Sequence, residues 1–137
     1  MTLSVLIPAF NEQPTIAQSI ERVLQEEVVS QIIVIDDGSS DGTRETLMKL
    51  KHRDERIEVL FHGTNQGKGA AVRTALPHVR APISIIHDAD LEYHPTDFRS
   101  VIQPILDGHS NVVYGSRVLH PDNQYPLDLF RVGSFVV

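Results

Sequence analysis

Asp88 and Asp90 stand two residues apart, directly after the apolar run Ile83-Ser84-Ile85-Ile86. Side chains alternate along extended backbone, so both carboxylates can turn to the same side. Two convergent carboxylates suit a hard divalent cation, which takes oxygen ligands and commonly completes its shell with substrate phosphates. The chemistry implied is a metal held on a diphosphate, where the cation offsets charge on a leaving group. Asp90 reads as the direct ligand, Asp88 as direct or water-bridged, and Glu92 as an auxiliary. The competing reading is an acidic loop that caps the next helix.

A second acidic segment, Asp36-Asp37-Gly38-Ser39-Ser40-Asp41-Gly42-Thr43, follows another apolar run. Here carboxylate oxygens can accept hydrogen bonds from a base or ribose, with Asp37 the preferred ligand. Ser39 to Thr43 reads as turn and cap chemistry. The segment lacks the closing glutamate of a calcium loop. Pro8-Ala9-Phe10-Asn11-Glu12 ends the first apolar run and can set backbone and a carboxylate against a base. It reads equally as a proline-set turn in which Asn11 or Glu12 helps to cap a helix.

Gly63 to Arg73 contains Gly67-Lys68-Gly69. It has three residues between Gly63 and Gly67 and no Ser or Thr after Lys68, so it is not a phosphate loop. A Gly-rich helix start with a lysine still suits an anion, which makes Lys68 a candidate. Arg117, after Gly115-Ser116, can clamp a phosphate with its planar fork, and Arg131 is a weaker second. The sequence carries neither a nucleophile elbow nor a dinucleotide fingerprint.

These residues need a scaffold, and the periodicity supplies one. Strands are expected at Leu3–Ile7, Gln31–Ile35, Ile57–Phe61, Ile83–His87 and Asn111–Tyr114. Pro14 opens a first helix with Ile16, Ile20, Val23 and Leu24 on one face. Ser40 or Asp41 caps a second, with Leu47 and Leu50 inward. A third runs from Gly67 to about Leu76, with Val72, Ala75 and Leu76 inward. Pro104 conflicts with one long helix after Pro95; the expectation is a turn over Pro95–Arg99 and a helix beginning near Val101. Alternating strands and helices imply an α/β fold with a mainly parallel sheet, whose ligands bind beyond the carboxyl ends of its strands. Each candidate motif lies just after an expected strand.

Composition bounds the rest. The chain has 137 residues, enough for one domain. A net charge of −6 argues against nonspecific binding of nucleic acid. The absence of cysteine excludes disulfides, thiolate metal sites and a cysteine nucleophile. No apolar run approaches the ~20 residues of a membrane span. The chain stops in the apolar stretch Phe135-Val136-Val137 without a cap. The expectation is a single domain over 1–137 truncated at its C-terminus, with a nucleotide-binding half of about 1–92 and the start of an acceptor half over about 93–137. Exposed apolar surface at that end would favour a homodimer.

Jointly, Ile7 to Glu12, Asp36 to Thr43, Asn65 to Ala71, Asp88 to Glu92 and Gly115 to Arg117 resemble the family 2 glycosyltransferases of the GT-A fold. The resemblance covers about Leu3 to Arg117 and is nearest to the dolichyl- and polyprenyl-phosphate sugar synthases. Glu92 stands where relatives often carry glutamine. The resemblance implies a three-layer α/β/α sandwich with a Rossmann-like sheet. It implies inverting transfer of a hexose from a nucleotide-diphosphate sugar, of the GDP-mannose or UDP-glucose type, to a lipid phosphate or a saccharide. The nucleotide would meet Pro8, Ala9, Asn11, Glu12, Asp36, Asp37, Lys68 and Asp88. Mg2+ or Mn2+ would meet Asp88, Asp90 and Glu92. Asp90 and Arg117 would carry catalysis, and Arg117, Arg131 and Ser134 would approach the acceptor phosphate. The protein would be cytoplasmic, at the membrane surface. A non-catalytic nucleotide-binding fragment and a nucleotidyltransferase are the alternatives; the latter expects a Gly-rich loop after the first strand, which Pro8-Ala9-Phe10-Asn11 is not.

Overall fold

The structure is a computed structural model that describes residues 2–115; Arg117, Arg131 and Ser134 lie outside the described residues. The chain divides into two units at Thr96. The first holds four parallel strands, β1 (Leu3–Ala9), β2 (Val29–Asp36), β3 (Ile57–Phe61) and β4 (Ile83–Ile86), in the spatial order β3-β2-β1-β4. Between them run α1 (Ile16–Leu24), α2 (Thr43–Leu50) and α3 (Lys68–Ala75), the last followed by a 3-10 turn at Leu76–His78.

Strand order decides the layers. The steps from β1 to β2 and β2 to β3 move one way across the sheet, and the step from β3 to β4 moves back. Right-handed crossovers then put α1 and α2 on one face and α3 on the other. Packing agrees: Ala71 and Ala75 of α3 sit on Leu6, Ile33 and Ile35, with Leu60, Val72 and Val79 around them. Alternation sends the buried Val5, Ile7, Ile32 and Val34 to the opposite face. Central β2 is covered on both faces, hence its unbroken apolar run.

Registers align the carboxyl edge. Ala9 pairs with Asp36, and Asp36 with Phe61. The next residue of each strand, Phe10, Asp37 and His62, therefore falls in one row. Backbone bonds from Asp37 N to Ala9 O and from His62 N to Asp36 O, both 2.8 Å, extend the ladder to that row.

At the opposite edge a buried polar cluster ties the long crossover to the sheet. Ser4 Oγ donates to Gln31 Oε1 at 2.6 Å, and Gln31 Nε2 donates to the His78 carbonyl at 2.8 Å. The amides of Arg80 and Ala81 donate to Gln31 Oε1 and Ser4 Oγ at 3.0 and 3.2 Å. A segment without ladder partners thus has its backbone satisfied by side chains of β1 and β2.

Four expectations need correction. Leu76 is 51% exposed, not inward. The helix approaches the sheet through its small residues Ala71 and Ala75, and Leu76 falls off that stripe into the turn that Pro77 imposes. The N-cap of α2 is Gly42, at φ 105°. Asp41, one position earlier, still accepts the Thr43 amide at 3.0 Å, so it does the cap's chemistry from outside.

In the second unit α4 spans Phe98–Leu106 after a 3-10 turn at Pro95–Asp97. It starts three residues before Val101 and carries Pro104 inside. Burial of Phe98 and Ile102, four apart on one face, outweighs the hydrogen bond that proline forfeits. Asn111–Tyr114 is not a strand. Ser110 Oγ bonds both the amide and the carbonyl of Val112, which removes those groups from any ladder, and Val112 and Tyr114 are exposed. Among the described residues no helix is long and apolar enough to cross a membrane.

Gln31→Met keeps the side-chain volume but strips partners from Ser4, the His78 carbonyl and the Arg80 amide. The expected cost is roughly 2–3 kcal/mol, since the His78 carbonyl and the Arg80 amide lose their Gln31 partner while Ser4 keeps its bond from Ala81, read as a lower urea midpoint at unchanged slope.

Candidate nucleotide and metal site

Alternation along the strands decides which side chains meet. Pro8 shares the parity of Leu6, Asp37 that of Ile35, His62 that of Leu60, and Asp88 that of Ile86, which pairs with Leu6. All four face the α3 side of the sheet, at the carboxyl edge where that helix begins. There Pro8, Asp37 and Asp88 border a cleft of about 290 Å³, lined also by Ala9, Phe10, Glu12, Asn65, Gly67, Lys68, Ala89 and Asp90, with His62 behind Asp37.

Asp37 is the most constrained group. It is buried, and Oδ1 accepts from the Gln66 amide at 2.9 Å and meets His62 Nδ1 at 2.7 Å. Oδ2 accepts from the Gly67 amide at 2.8 Å. His62 Nε2 in turn lies 2.9 Å from Thr74 Oγ1 on α3. Burial pushes the Asp37 carboxyl upward, but the Gln66 amide, the His62 ring and the Gly67 amide together outweigh it and hold its pKa below the ordinary 3.8. Gly38 lets the loop close over this carboxylate. At φ +74° it is left-handed, and a Cβ there would lie 2.6 Å from both Asn65 N and Thr64 C.

The metal-type pair sits across the cleft. Lys68 Nζ, at the first residue of α3, is ion-paired with Asp88 Oδ1. Asp90 Oδ1 accepts the Glu92 amide at 3.1 Å in a turn that puts Leu91 at φ 66°. A leucine in the left-handed region carries strain of about 1–2 kcal/mol, here set beside the acidic pair. Burial pushes the pKa of His87 down against the pull of Asp88 and Asp90. Asp88 and Asp90 offer oxygen donors only, as a hard cation needs. Among the described residues no group of three or more acidic or histidine side chains converges. The pair therefore fits a cation that takes its remaining ligands from phosphate and water.

Of the nucleotide candidates, Pro8, Ala9, Glu12, Asp37, Lys68 and Asp88 share the cleft, and Asp90 joins them. Asn11 and Asp36 do not line it. Asp36 has the opposite parity to Asp37 and points to the α1/α2 face, wholly buried, with Oδ1 near the Ser39 amide at 3.4 Å and Oδ2 unbonded. Asn11, at φ 52°, clamps two loops: its amide donates to Ser39 Oγ and its Oδ1 accepts the Ser40 amide, each at 2.9 Å. Glu92 lies outside the lining. Sequence reasoning passed over Phe10, Asn65 and the His62–Thr74 support. For His62 a signal existed, since it follows β3 as Asp37 follows β2.

A parallel α/β sheet with acidic loops and a lysine at its carboxyl edge is the arrangement expected of the GT-A glycosyltransferase fold, and structural neighbours of that fold superpose on it. Residues 4–131 match the family described as Glycosyl transferase family 2, and the chain belongs to that family. It is 34% identical over 134 residues to glycosyltransferase AglJ of Haloferax volcanii, covering 97% of this chain and 42% of the relative. It is 31% identical over 132 residues to UDP-N-acetylglucosamine–dolichyl-phosphate N-acetylglucosaminyltransferase of Methanococcus voltae, covering 85% of this chain and 52% of the relative. Glucosyl-3-phosphoglycerate synthase from Mycobacterium tuberculosis, solved with Mn2+, UDP and glucosyl-3-phosphoglycerate, superposes with a TM-score of 0.63 at 27% identity, over 77% of this chain and 39% of that one. The chain spans about half the length of the curated relatives it matches.

Two outcomes test this geometry. Gly38→Ala should lower stability by about 2 kcal/mol or more, since both the left-handed φ and the backbone at 2.6 Å oppose a methyl group; thermal unfolding reads it. The lowered pKa of Asp37 means that its contribution to stability is complete above pH 3.8 and is lost as pH falls through the depressed folded value. The stability gap between wild type and Asp37→Asn, followed by urea denaturation from pH 7 downward, should hold steady and then narrow below 3.8.

Proposed function

We propose that the chain is the donor-binding part of an inverting glycosyltransferase. It takes a hexose from a nucleotide-diphosphate sugar and passes it to the phosphate of a polyprenyl or dolichyl lipid. One observation carries the reading: the ends of β1, β2 and β4 and the start of α3 bring Pro8, Asp37, Lys68, Asp88 and Asp90 to a single cleft. The names of the relatives support both the reaction class and the lipid-phosphate acceptor. The bound Mn2+ and UDP of the structural neighbour support a metal-dependent donor site.

In this reading Pro8, Ala9, Phe10 and Asp37 hold the nucleoside, and Lys68 meets the diphosphate. Asp88 and Asp90 hold Mg2+ or Mn2+, with Glu92 beside them. The cation, when bound, offsets charge that develops on the departing diphosphate. An acceptor oxygen forms a bond to the anomeric carbon from the face opposite the diphosphate. The carbon–oxygen bond to the diphosphate breaks, and its electron pair leaves with the nucleoside diphosphate. A lipid phosphate is already anionic near neutral pH, so this attack needs little help from a general base. Arg117, with Arg131 and Ser134, is assigned to that phosphate. A lipid acceptor lies in a membrane, and in this reading the protein works at the cytoplasmic face of that membrane as a homodimer.

Calorimetric titration of UDP, GDP and their sugar conjugates, with and without Mn2+, tests it. The expected result is binding of one nucleotide that depends on the metal and weakens at least about tenfold in Asp90→Ala, the loss of a charge-assisted contact. Absence of nucleotide binding by folded protein refutes the donor site.

A further inference from the structure

The cleft is crowded with negative charge. Glu12, Asp37, Asp88 and Asp90 line it, and among the described residues Lys68 is the one lysine or arginine in the lining. The four carboxylates are held in different ways. Asp37 is bonded by two backbone amides and His62. Glu12 Oε2 accepts the Thr15 hydroxyl at 3.1 Å, and Asp90 accepts the Glu92 amide. Asp88 is held by the Lys68 ammonium, the tip of a half-exposed, flexible side chain. Its partner can leave without moving backbone.

We propose that Lys68 is a resident counter-ion that a divalent cation displaces from Asp88, and that the displaced ammonium then takes the diphosphate. The inference rests on the donor-site reading and adds a coupling to it. Lys68 Nζ and a metal ion would compete for the Asp88 carboxylate, because the ammonium needs it as a hydrogen-bond acceptor and a hard cation needs it as an oxygen ligand. A metal arriving alone must break the ion pair and stand beside the freed ammonium, two like charges in one cleft. A diphosphate arriving alone meets a site whose lysine is engaged and whose carboxylates repel it. When both arrive, Lys68 exchanges a carboxylate for a phosphate while the metal neutralises the acidic pair. Each ligand thereby lowers the cost of the other, and linkage makes that help reciprocal.

The surroundings give the lysine room. Gly67 precedes it with open space where a side chain would project, and Gly69 follows it with no neighbour nearer than Arg73 Nη1 at 3.6 Å.

The test uses Mn2+ alone, followed by its free-ion paramagnetic signal, on wild type, Lys68→Gln and Lys68→Arg. Removing the charge should tighten Mn2+ binding on the order of tenfold, the usual scale of such coupling. Lys68→Arg, which keeps the charge, should bind no tighter than wild type. UDP and GDP, titrated with saturating Mn2+, should bind Lys68→Gln more weakly than wild type. These opposite signs for metal and nucleotide are the signature; a merely structural lysine would weaken both. Mn2+ affinity that is unchanged or lower in a folded Lys68→Gln overturns the displacement. Nucleotide affinity that is unchanged overturns the handover. If wild type binds no nucleotide, the donor reading falls and the handover with it, while the Mn2+-only arm still decides whether Lys68 and the cation compete.

Discussion

The carboxylate of Asp37 joins parts of the chain that nothing else brings together. It follows β2, yet its acceptors are filled by the amides of Gln66 and Gly67, which lead into α3, and by His62, which follows β3. A buried carboxylate left unpaired is costly, so burial makes these bonds obligatory. They in turn fix where α3 begins. Lys68 is the next residue, and its reach to Asp88 follows from that placement. Thr74 extends the same chain of contacts one helical turn pair further, through the far side of the His62 ring. The loop closes only because Gly38 lacks a side chain. The cleft's geometry is thus set mainly by one anion and by the parity of the strand that carries it.

That parity also marks what the sequence could reveal. The unbroken apolar run of β2 and the helical spacing of α1 were legible because burial on both faces, or on one, writes directly into residue type. That Asp37, Lys68, Asp88 and Asp90 would gather at the carboxyl edge was legible because each lies in a segment that follows a strand, where a parallel sheet presents its ligands. Asp36 and Asn11 are of types equally suited to binding, yet they serve the scaffold. Separating Asp36 from Asp37 requires the register, since neighbours on a strand face opposite ways. Separating Asn11 from a ligand requires its left-handed backbone and its two loop bonds. Leu76, Pro104 and Val112 were misread for a related reason. Each depends on what lies beside it in space, a small-residue helix face, a pair of buried side chains or a competing hydroxyl, and periodicity along the chain does not carry that information.

An acidic cleft proposed to accept an acidic ligand poses an electrostatic problem, and the structure divides its charges into two kinds. Asp37 is held by backbone amides and a packed ring, partners that cannot depart while the fold persists. Its role is to be permanent, and its lowered pKa expresses that permanence. Asp88 is held by a side-chain ammonium that is half exposed and free to rotate. A site that must bind and then release a charged product needs some contacts of this second kind, because interactions that exchange partners cost little to make and break. In the proposed reading the fixed anion stands toward the nucleoside and the exchangeable pair toward the metal, so that only the diphosphate end would rearrange on binding. Lys68 joins the two, set by Asp37 through its backbone and drawn to Asp88 through its charge.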